Sequence, residues 1–122
     1  MTIRNIILGV SDLETSIRFY RDEMGLTLTG RKEELAYFDT GAAVLTLSTE
    51  LIHCTPAIAG ATEVVFSVEG VREAFAELTA RKVEFSTKPQ PLTGSFWVAY
   101  IHDPDGHLLT IMGPERNVLS VQ

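Results

Sequence analysis

The chain has 122 residues, of which 45% are hydrophobic and 21% charged, so it is long enough for one folded core and too apolar for a disordered chain. Its net charge of −6, without clusters of Lys or Arg, argues against nucleic acid as a partner. No apolar run is long enough to span a membrane, and the first residues lack the pattern of a signal peptide. We therefore expect a cytoplasmic protein that has neither a nucleic-acid nor a membrane partner.

The N-terminal segment predicts a strand followed by an amphipathic helix. Residues 3–10 are mainly apolar and β-branched, which favours a strand, and Ser11 and Glu14 have the spacing of a helix capping box. Apolar side chains then recur at steps of four, three and four, and Gly25 is a typical C-terminal stop. The stripe consists of Leu13, Ile17, Tyr20 and Met24.

Three short strands are predicted after this helix. They cover residues 26–30, 35–39 and 43–48, and the polar residues 31–34 and the pair 40–41 separate them as turns. The first half of the chain therefore has the predicted order β, α, β, β, β.

The second half repeats this order. Residues 63–68 predict a strand, and the helical stripe that follows has the steps of the first one, 58 residues further along the chain. The matched segments are 71–78 with 13–20, 83–85 with 26–28, and 108–111 with 44–47, at offsets of 58, 57 and 64 residues. Three matches in the same order favour an internal duplication over coincidence.

These observations predict one domain with four parts: module 1 at residues 3–48, a linker at 49–61, module 2 at 62–113 and a tail at 114–122. A module of one helix on four strands leaves sheet edges open, so we expect two modules to pair. The predicted fold is α+β, with two pseudo-symmetric βαβββ modules whose sheets curl around a central cup. Such a concave space is a candidate ligand site.

Two motifs resemble those of a known superfamily. Residues 10–20, VSDLETSIRFY, are followed a few residues later by Gly25 and Leu26, and residues 103–109, DPDGHLL, contain the DPDG turn before the last predicted strand. Together they resemble the vicinal oxygen chelate superfamily, which includes glyoxalases, extradiol dioxygenases and bleomycin resistance proteins. In the second motif Asp103 and Asp105 are interpreted as turn-forming residues rather than catalytic ones. The resemblance implies the paired-module fold and a homodimer.

The resemblance also implies four ligand positions, on the first and last strand of each module, where metal-dependent members carry His or Glu. These positions correspond to Asn5, Thr46, Glu63 and Thr110. Only Glu63 is a strong ligand for a transition metal, because the side chains of Asn and Thr are neutral and coordinate metal ions weakly. We therefore predict no metal site and no cofactor.

Glu63 has three interpretations. It is a ligand contact that holds a cationic group, a general base that moves a proton, or a solvated residue at the start of a strand. The first two place it among the candidate site residues, and the second makes it the one catalytic candidate.

Four further side chains are predicted to line the cup as an apolar, adaptable wall, namely Phe38, Trp97, Tyr100 and Met112. Strand alternation predicts that Met112 lies on the same face as Thr110. Trp97 and Tyr100 have opposite parity, so only one of them shares a given face unless a bulge intervenes.

The remaining chemistry-bearing residues are interpreted as ordinary ones. His53, His102 and His107 do not have the spacing of a common metal motif. The single cysteine, Cys54, has no second cysteine with which to form a disulfide or a metal site.

Two classes of function remain. The lack of strong metal ligands at three of the four implied positions and the negative net charge favour a metal-free binding protein that sequesters a small organic molecule in the cup. The alternative is an enzyme, a glyoxalase-like lyase, isomerase, transferase or dioxygenase, with a divalent metal or with Glu63 acting alone. A third possibility, an accessory partner of an enzyme, has no positive feature in the sequence.

Overall fold

A computed structural model describes residues 3–50 and 62–114 of the chain. The chain forms two compact units, unit 1 at Met1–Ile58 and unit 2 at Ala59–Gln122. The division lies in the segment that the sequence predicts as a linker. Most of that linker, with His53 and Cys54, and the predicted tail after Pro114 lie outside the described residues.

Unit 1 is a four-stranded mixed sheet with one helical region. The strands are ordered β1-β4-β3-β2, with β1 parallel to β4 and the other neighbours antiparallel. The predicted order β, α, β, β, β is confirmed. The elements are β1 (Asn5–Gly9), α1 (Leu13–Arg18), a π-helical segment (Phe19–Glu23), β2 (Thr27–Lys32), β3 (Leu35–Asp39) and β4 (Val44–Ser48).

Unit 2 repeats this architecture. Its strands are ordered β5-β8-β7-β6, with β5 parallel to β8 and the other neighbours antiparallel. Two such sheets confirm the α+β fold of duplicated βαβββ modules. The elements are β5 (Glu63–Ser67), α2 (Val71–Ala80), β6 (Gln90–Thr93), β7 (Phe96–His102) and β8 (Leu108–Pro114).

The first helix begins and ends by identifiable local chemistry. Its N-cap is Asp12, which has extended backbone angles and accepts a hydrogen bond from the Thr15 backbone N–H at 3.2 Å. The predicted capping box at Ser11 is therefore one residue too early, because an Asp side chain caps as well as Ser. At the end of the helical region, after the π-helical segment, Gly25 has φ +81°, a conformation that glycine adopts without steric cost. The predicted helix stop is correct.

Two strand predictions need correction. Strand β2 continues to Lys32, so the predicted turn at 31–34 is reduced to its last two residues, with Glu33 at φ +54°. Residues 83–85 do not form a strand: Phe85 makes one isolated bridge to Ile101, because the chain bends immediately afterwards. In place of that segment, β6 pairs with β7.

Each sheet has one face covered by a helix and one face that we call the open face. In unit 1 the covered face includes Phe38, which is fully buried, with its ring centroid 6.0 Å from that of Tyr20. In unit 2 it includes Ile101 and Leu109, also fully buried, on strands that contact α2. No helix within the described residues is long and apolar enough to cross a membrane.

Candidate functional site

The open face of unit 2 carries a central row of three side chains. Register pairs Thr110 of β8 with Val65 of β5 on one side and with Tyr100 of β7 on the other. Since side chains alternate along a strand, these three point to one face. Thr110 is 1% exposed, whereas Val65 is 48% exposed. A buried hydroxyl group thus lies beside an aliphatic side chain that solvent reaches.

The neighbouring row carries ionisable groups. Register places Leu108 between Glu63 on β5 and His102 on β7, and the parity of these strands puts all three on the face of Thr110. Glu63 and His102 are both exposed. The open face of unit 2 therefore combines a carboxylate, an imidazole and an apolar floor.

A hydrogen bond connects the two rows. The Thr110 hydroxyl donates to Oε2 of Glu63 at 2.5 Å. A hydrogen bond to an ionised acceptor is stronger than one between neutral groups, and it limits the orientations that the carboxylate adopts. One carboxylate oxygen of Glu63 is therefore bound to Thr110, while the Glu63 side chain as a whole remains exposed to solvent.

Unit 1 has a corresponding pair. Thr46 is 1% exposed, and its hydroxyl donates to Oδ1 of Asn5 at 2.7 Å. Register pairs Thr46 with Ile7 and with Tyr37, so its row corresponds to that of Thr110. Ile7 is 49% exposed. The four ligand positions predicted by the resemblance thus form two hydroxyl-bonded pairs, one in each unit.

The structure brings together some of the predicted wall residues and separates others. Tyr100 and Met112 lie on the open face of unit 2, because their register and parity match those of Thr110. Trp97 lies on the opposite face, where the Arg72 guanidinium of α2 is 5.5 Å from its ring centroid. Phe38 lies on the covered face of unit 1. Phe38 and Trp97 are therefore not among the side chains of the open faces.

Sequence reasoning missed Tyr37 on the open face of unit 1. It occupies the position that Tyr100 has in unit 2, since each tyrosine is the register partner of the buried threonine. A signal was present: both tyrosines follow an alanine, in the segments 36–38 (AYF) and 99–101 (AYI). The duplication therefore extends to one more strand than the sequence matches covered.

The DPDG motif forms a turn. Asp103 is 4% exposed, and its Oδ1 accepts hydrogen bonds from the backbone N–H groups of Asp105 at 2.9 Å and His107 at 2.8 Å. Gly106 has φ +91°. Both findings agree with the interpretation of Asp103 as a turn-forming residue.

The four ligand positions do not fit a transition metal. Only one of the four positions has a carboxylate and the other three have neutral side chains, and within each unit the threonine hydroxyl donates to the side chain that would otherwise be a ligand. Zn²⁺, Fe²⁺ and Mn²⁺ need several imidazole, thiolate or carboxylate ligands to compensate for lost water. Residues 3–50 and 62–114 contain no group of three or more His, Cys, Asp or Glu side chains placed for a metal ion.

Comparisons with known proteins agree with this fold. The sequence model described as "Glyoxalase/Bleomycin resistance protein/Dioxygenase superfamily" matches residues 2–111. Virulence protein STM3117 of Salmonella typhimurium is 26% identical over 117 residues, which cover 89% of this chain and 81% of the relative. The uncharacterized protein YraH of Bacillus subtilis is 28% identical over 124 residues, which cover 91% of this chain and 97% of the relative.

A solved structure extends the likeness to three dimensions. The crystal structure of a glyoxalase/bleomycin resistance protein/dioxygenase from Nocardioides has a TM-score of 0.77 and 25% identity, and the match covers 100% of this chain and 89% of that one.

Proposed function

Because this chain belongs to the glyoxalase/bleomycin resistance protein/dioxygenase superfamily, we propose that it binds a small organic molecule on the open faces of its sheets without a transition metal. Membership in this superfamily confirms the resemblance to it that was based on residues 10–26 and 103–109. The superfamily contains both enzymes and binding proteins, so the choice between them depends on the residues of this chain.

The observation that carries the proposal is the Thr110–Glu63 pair beside exposed apolar side chains. Thr110 holds one oxygen of the Glu63 carboxylate at 2.5 Å, and Val65, in the same row as Thr110, is 48% exposed. An apolar surface with a few placed polar groups is typical of small-molecule sites. The arrangement supports binding through one oriented carboxylate and an apolar contact.

The same side chains indicate the ligand's chemistry. A carboxylate binds a cationic or hydrogen-bond-donating group, and the net charge of −6 attracts cations at long range. Tyr100 and Met112 provide a ring and a flexible thioether for an aromatic or apolar body. We therefore expect the ligand to combine a flat apolar part with an ammonium group.

A panel of ring compounds tests this proposal. Benzylamine, benzyl alcohol and benzoate have the same ring and differ in charge, and a compound that binds the native state raises the melting temperature. We expect benzylamine to raise it more than benzyl alcohol does, and Glu63→Gln to remove that difference. Glu77→Gln is the matched control, because Glu77 is an exposed glutamate on α2. The proposal is wrong if benzylamine gives no shift or if Glu63→Gln leaves the shift unchanged.

The metal-free part of the proposal has its own test. Protein purified without chelator is analysed for metals, and its melting temperature is followed with added Zn²⁺, Mn²⁺, Fe²⁺ or Ni²⁺. We expect far less than one metal per chain and no shift, because three of the four ligand positions are neutral. About one tightly bound metal per chain would instead support the metalloenzyme class.

A second function is supported by the exposure of Glu63. An exposed carboxylate held in one orientation by Thr110 is placed to remove a proton from carbon next to a carbonyl group, as in an isomerase or lyase. Turnover of a bound carbonyl compound that disappears in Glu63→Gln, with binding retained, would favour this enzyme. The homodimer and the cytoplasmic location remain predictions.

A further inference from the structure

A second hydroxyl-held ionisable group lies on the open face of unit 2. The Ser86 Oγ is 2.7 Å from Nδ1 of His102, and both residues are exposed. Ser86 is itself fixed beside β7, because its backbone N–H donates to the Tyr100 carbonyl oxygen at 2.8 Å. The pair resembles Thr110–Glu63, since in each case a hydroxyl group orients a neighbouring titratable side chain.

Backbone pairing shows which face this pair occupies. Phe85 bridges Ile101 of the covered face, and its ring centroid is 4.7 Å from that of Phe75 on α2. The next residue along an extended segment points to the other side. Ser86 therefore lies on the open face, as His102 does.

Glu63 and His102 lie on opposite sides of Leu108. Both are paired in register with Leu108, and two strand spacings separate their Cα atoms by roughly 10 Å. Their side chains therefore stand at two ends of a short apolar floor formed by Leu108 and Tyr100.

We propose that the Ser86–His102 pair is a second polar anchor for the same ligand, and that unit 2 takes a zwitterionic molecule with an ammonium and a carboxylate group at opposite ends of a flat apolar body. This inference rests on the proposed function. In the proposed arrangement the Ser86 hydroxyl donates to Nδ1, so that the neutral imidazole carries its proton on Nε2. Nε2–H then donates to the ligand's carboxylate, while Glu63 accepts from its ammonium group. Ser86 is a positioning residue, because it acts through His102.

Unit 1 does not offer this pair of polar anchors. The position of His102 is taken there by Asp39, which is the register partner of Val44 as His102 is of Leu108. Oδ1 of Asp39 accepts a hydrogen bond from the backbone N–H of Gly41 at 2.8 Å. The position of Glu63 is taken by the neutral Asn5. The proposed zwitterion site therefore belongs to unit 2.

The affinity of two probes tests the second anchor. The probe 4-(aminomethyl)benzoate carries both charged groups on one ring, and benzylamine lacks the carboxylate. We expect the zwitterion to bind about tenfold more tightly than benzylamine, the effect of one charge-assisted hydrogen bond. His102→Leu and Ser86→Ala should reduce the zwitterion to the affinity of benzylamine, whose own affinity stays unchanged. Ser86→Thr should restore the difference, whereas His107→Leu and Thr87→Ala should not alter it.

A spectroscopic readout tests the role of Ser86 without any ligand. The ¹⁵N chemical shifts of the His102 ring distinguish the two neutral tautomers. We expect protonated Nε2 to dominate in the unaltered protein and in Ser86→Thr, and a mixture of tautomers in Ser86→Ala. An unchanged tautomer ratio in Ser86→Ala would overturn the positioning role.

The outcomes separate this inference from the function on which it rests. Equal affinity of the two probes, with benzylamine binding still dependent on Glu63, overturns the second anchor and keeps the proposed function. Absence of binding by both probes overturns both.

Discussion

The two units share their backbone plan and differ in the chemistry of their open faces. In each unit the first strand runs parallel to the last, and the buried threonine of the last strand donates to a side chain of the first. The acceptor is the neutral Asn5 in unit 1 and the ionised Glu63 in unit 2. A duplicated scaffold thus keeps the hydroxyl donor and changes the group that it holds, so the ionisable member of these pairs lies in unit 2.

The units also differ in how the helix reaches the next strand. In unit 1 the π-helical segment leads through Gly25 directly into β2. In unit 2 the chain leaves α2 through Lys82, at φ +77°, and makes one bridge at Phe85 before β6 begins. This detour brings Ser86 next to His102. The longer connection is therefore the feature that gives unit 2 a second hydroxyl-held group.

The largest expected effect compares equivalent core positions. Phe38 in unit 1 and Ile101 in unit 2 are both fully buried, and each is one residue from the open-face tyrosine. Phe38→Ala should reduce the free energy of unfolding by about 3–5 kcal/mol and Ile101→Ala by about 2–5 kcal/mol, because each leaves a cavity. Urea unfolding measures both changes. A loss below about 1 kcal/mol for Phe38→Ala would contradict its placement in the core.

A smaller effect is expected where unit 2 leaves no room for a side chain. A Cβ at Gly113 would lie 2.1 Å from the Val68 carbonyl oxygen, whereas one at Gly30 would meet only Tyr37 Cδ2, at 3.6 Å. Gly113→Ala should therefore cost about 1–3 kcal/mol through backbone shifts, and Gly30→Ala, the control, should change stability little. Equal effects of the two substitutions in urea unfolding would contradict the close approach at Gly113.

Periodicity predicted most of the fold because burial on one face imposes a regular pattern. The apolar stripe that begins at Leu13 and the strand at 35–39 follow directly from it. The predicted strand at 83–85 failed because its apolar residues have the composition of a strand but only Phe85 finds a partner. Pairing depends on where the chain bends, and the local pattern does not contain that information.

The sequence predicted the polar residues of the candidate site better than it predicted which apolar side chains lie beside them. The family resemblance implied the positions Thr46 and Thr110, which also match each other in the duplication, and parity correctly placed Met112 on the face of Thr110. Phe38 and Trp97 lie on covered faces because strand composition does not tell which face a helix covers. Ser86 was missed because its role depends on a connection without periodicity.

The hydroxyl pairs give a direct comparison between the units. Thr110→Val removes a donor to the ionised Glu63, and Thr46→Val removes a donor to the neutral Asn5. We expect losses of about 1 kcal/mol and about 0.5 kcal/mol, at the low end for hydrogen bonds because both acceptors are exposed. Double-mutant cycles with Glu63→Gln and Asn5→Ala isolate each coupling energy. A larger coupling in unit 1 would contradict the argument that unit 2 carries the stronger pair.

The smallest expected effect concerns the π-helical segment, which unit 1 alone has within the described residues. The Arg21 guanidinium donates to the Asp22 carboxylate at 2.7 Å and holds the pKa of Asp22 below its ordinary value of 3.8. Because the folded pKa lies below the unfolded one, any stabilisation is present above the unfolded pKa and is lost as the pH falls through the folded pKa. Both side chains are exposed to solvent, so we expect Asp22→Asn to leave stability at neutral pH nearly unchanged.

Carboxyl NMR titration measures this pair directly. Arg21→Gln should return the pKa of Asp22 toward its ordinary value, whereas Arg18→Gln should raise it less, since Arg18 acts only through its charge while Arg21 also donates a hydrogen bond. Equal shifts in the two variants would mean that the general positive charge of the segment, rather than the hydrogen bond, lowers the pKa. In that case the contrast between the units would lie in the backbone geometry of the segment and in the open-face residues, with no contribution from this surface pair.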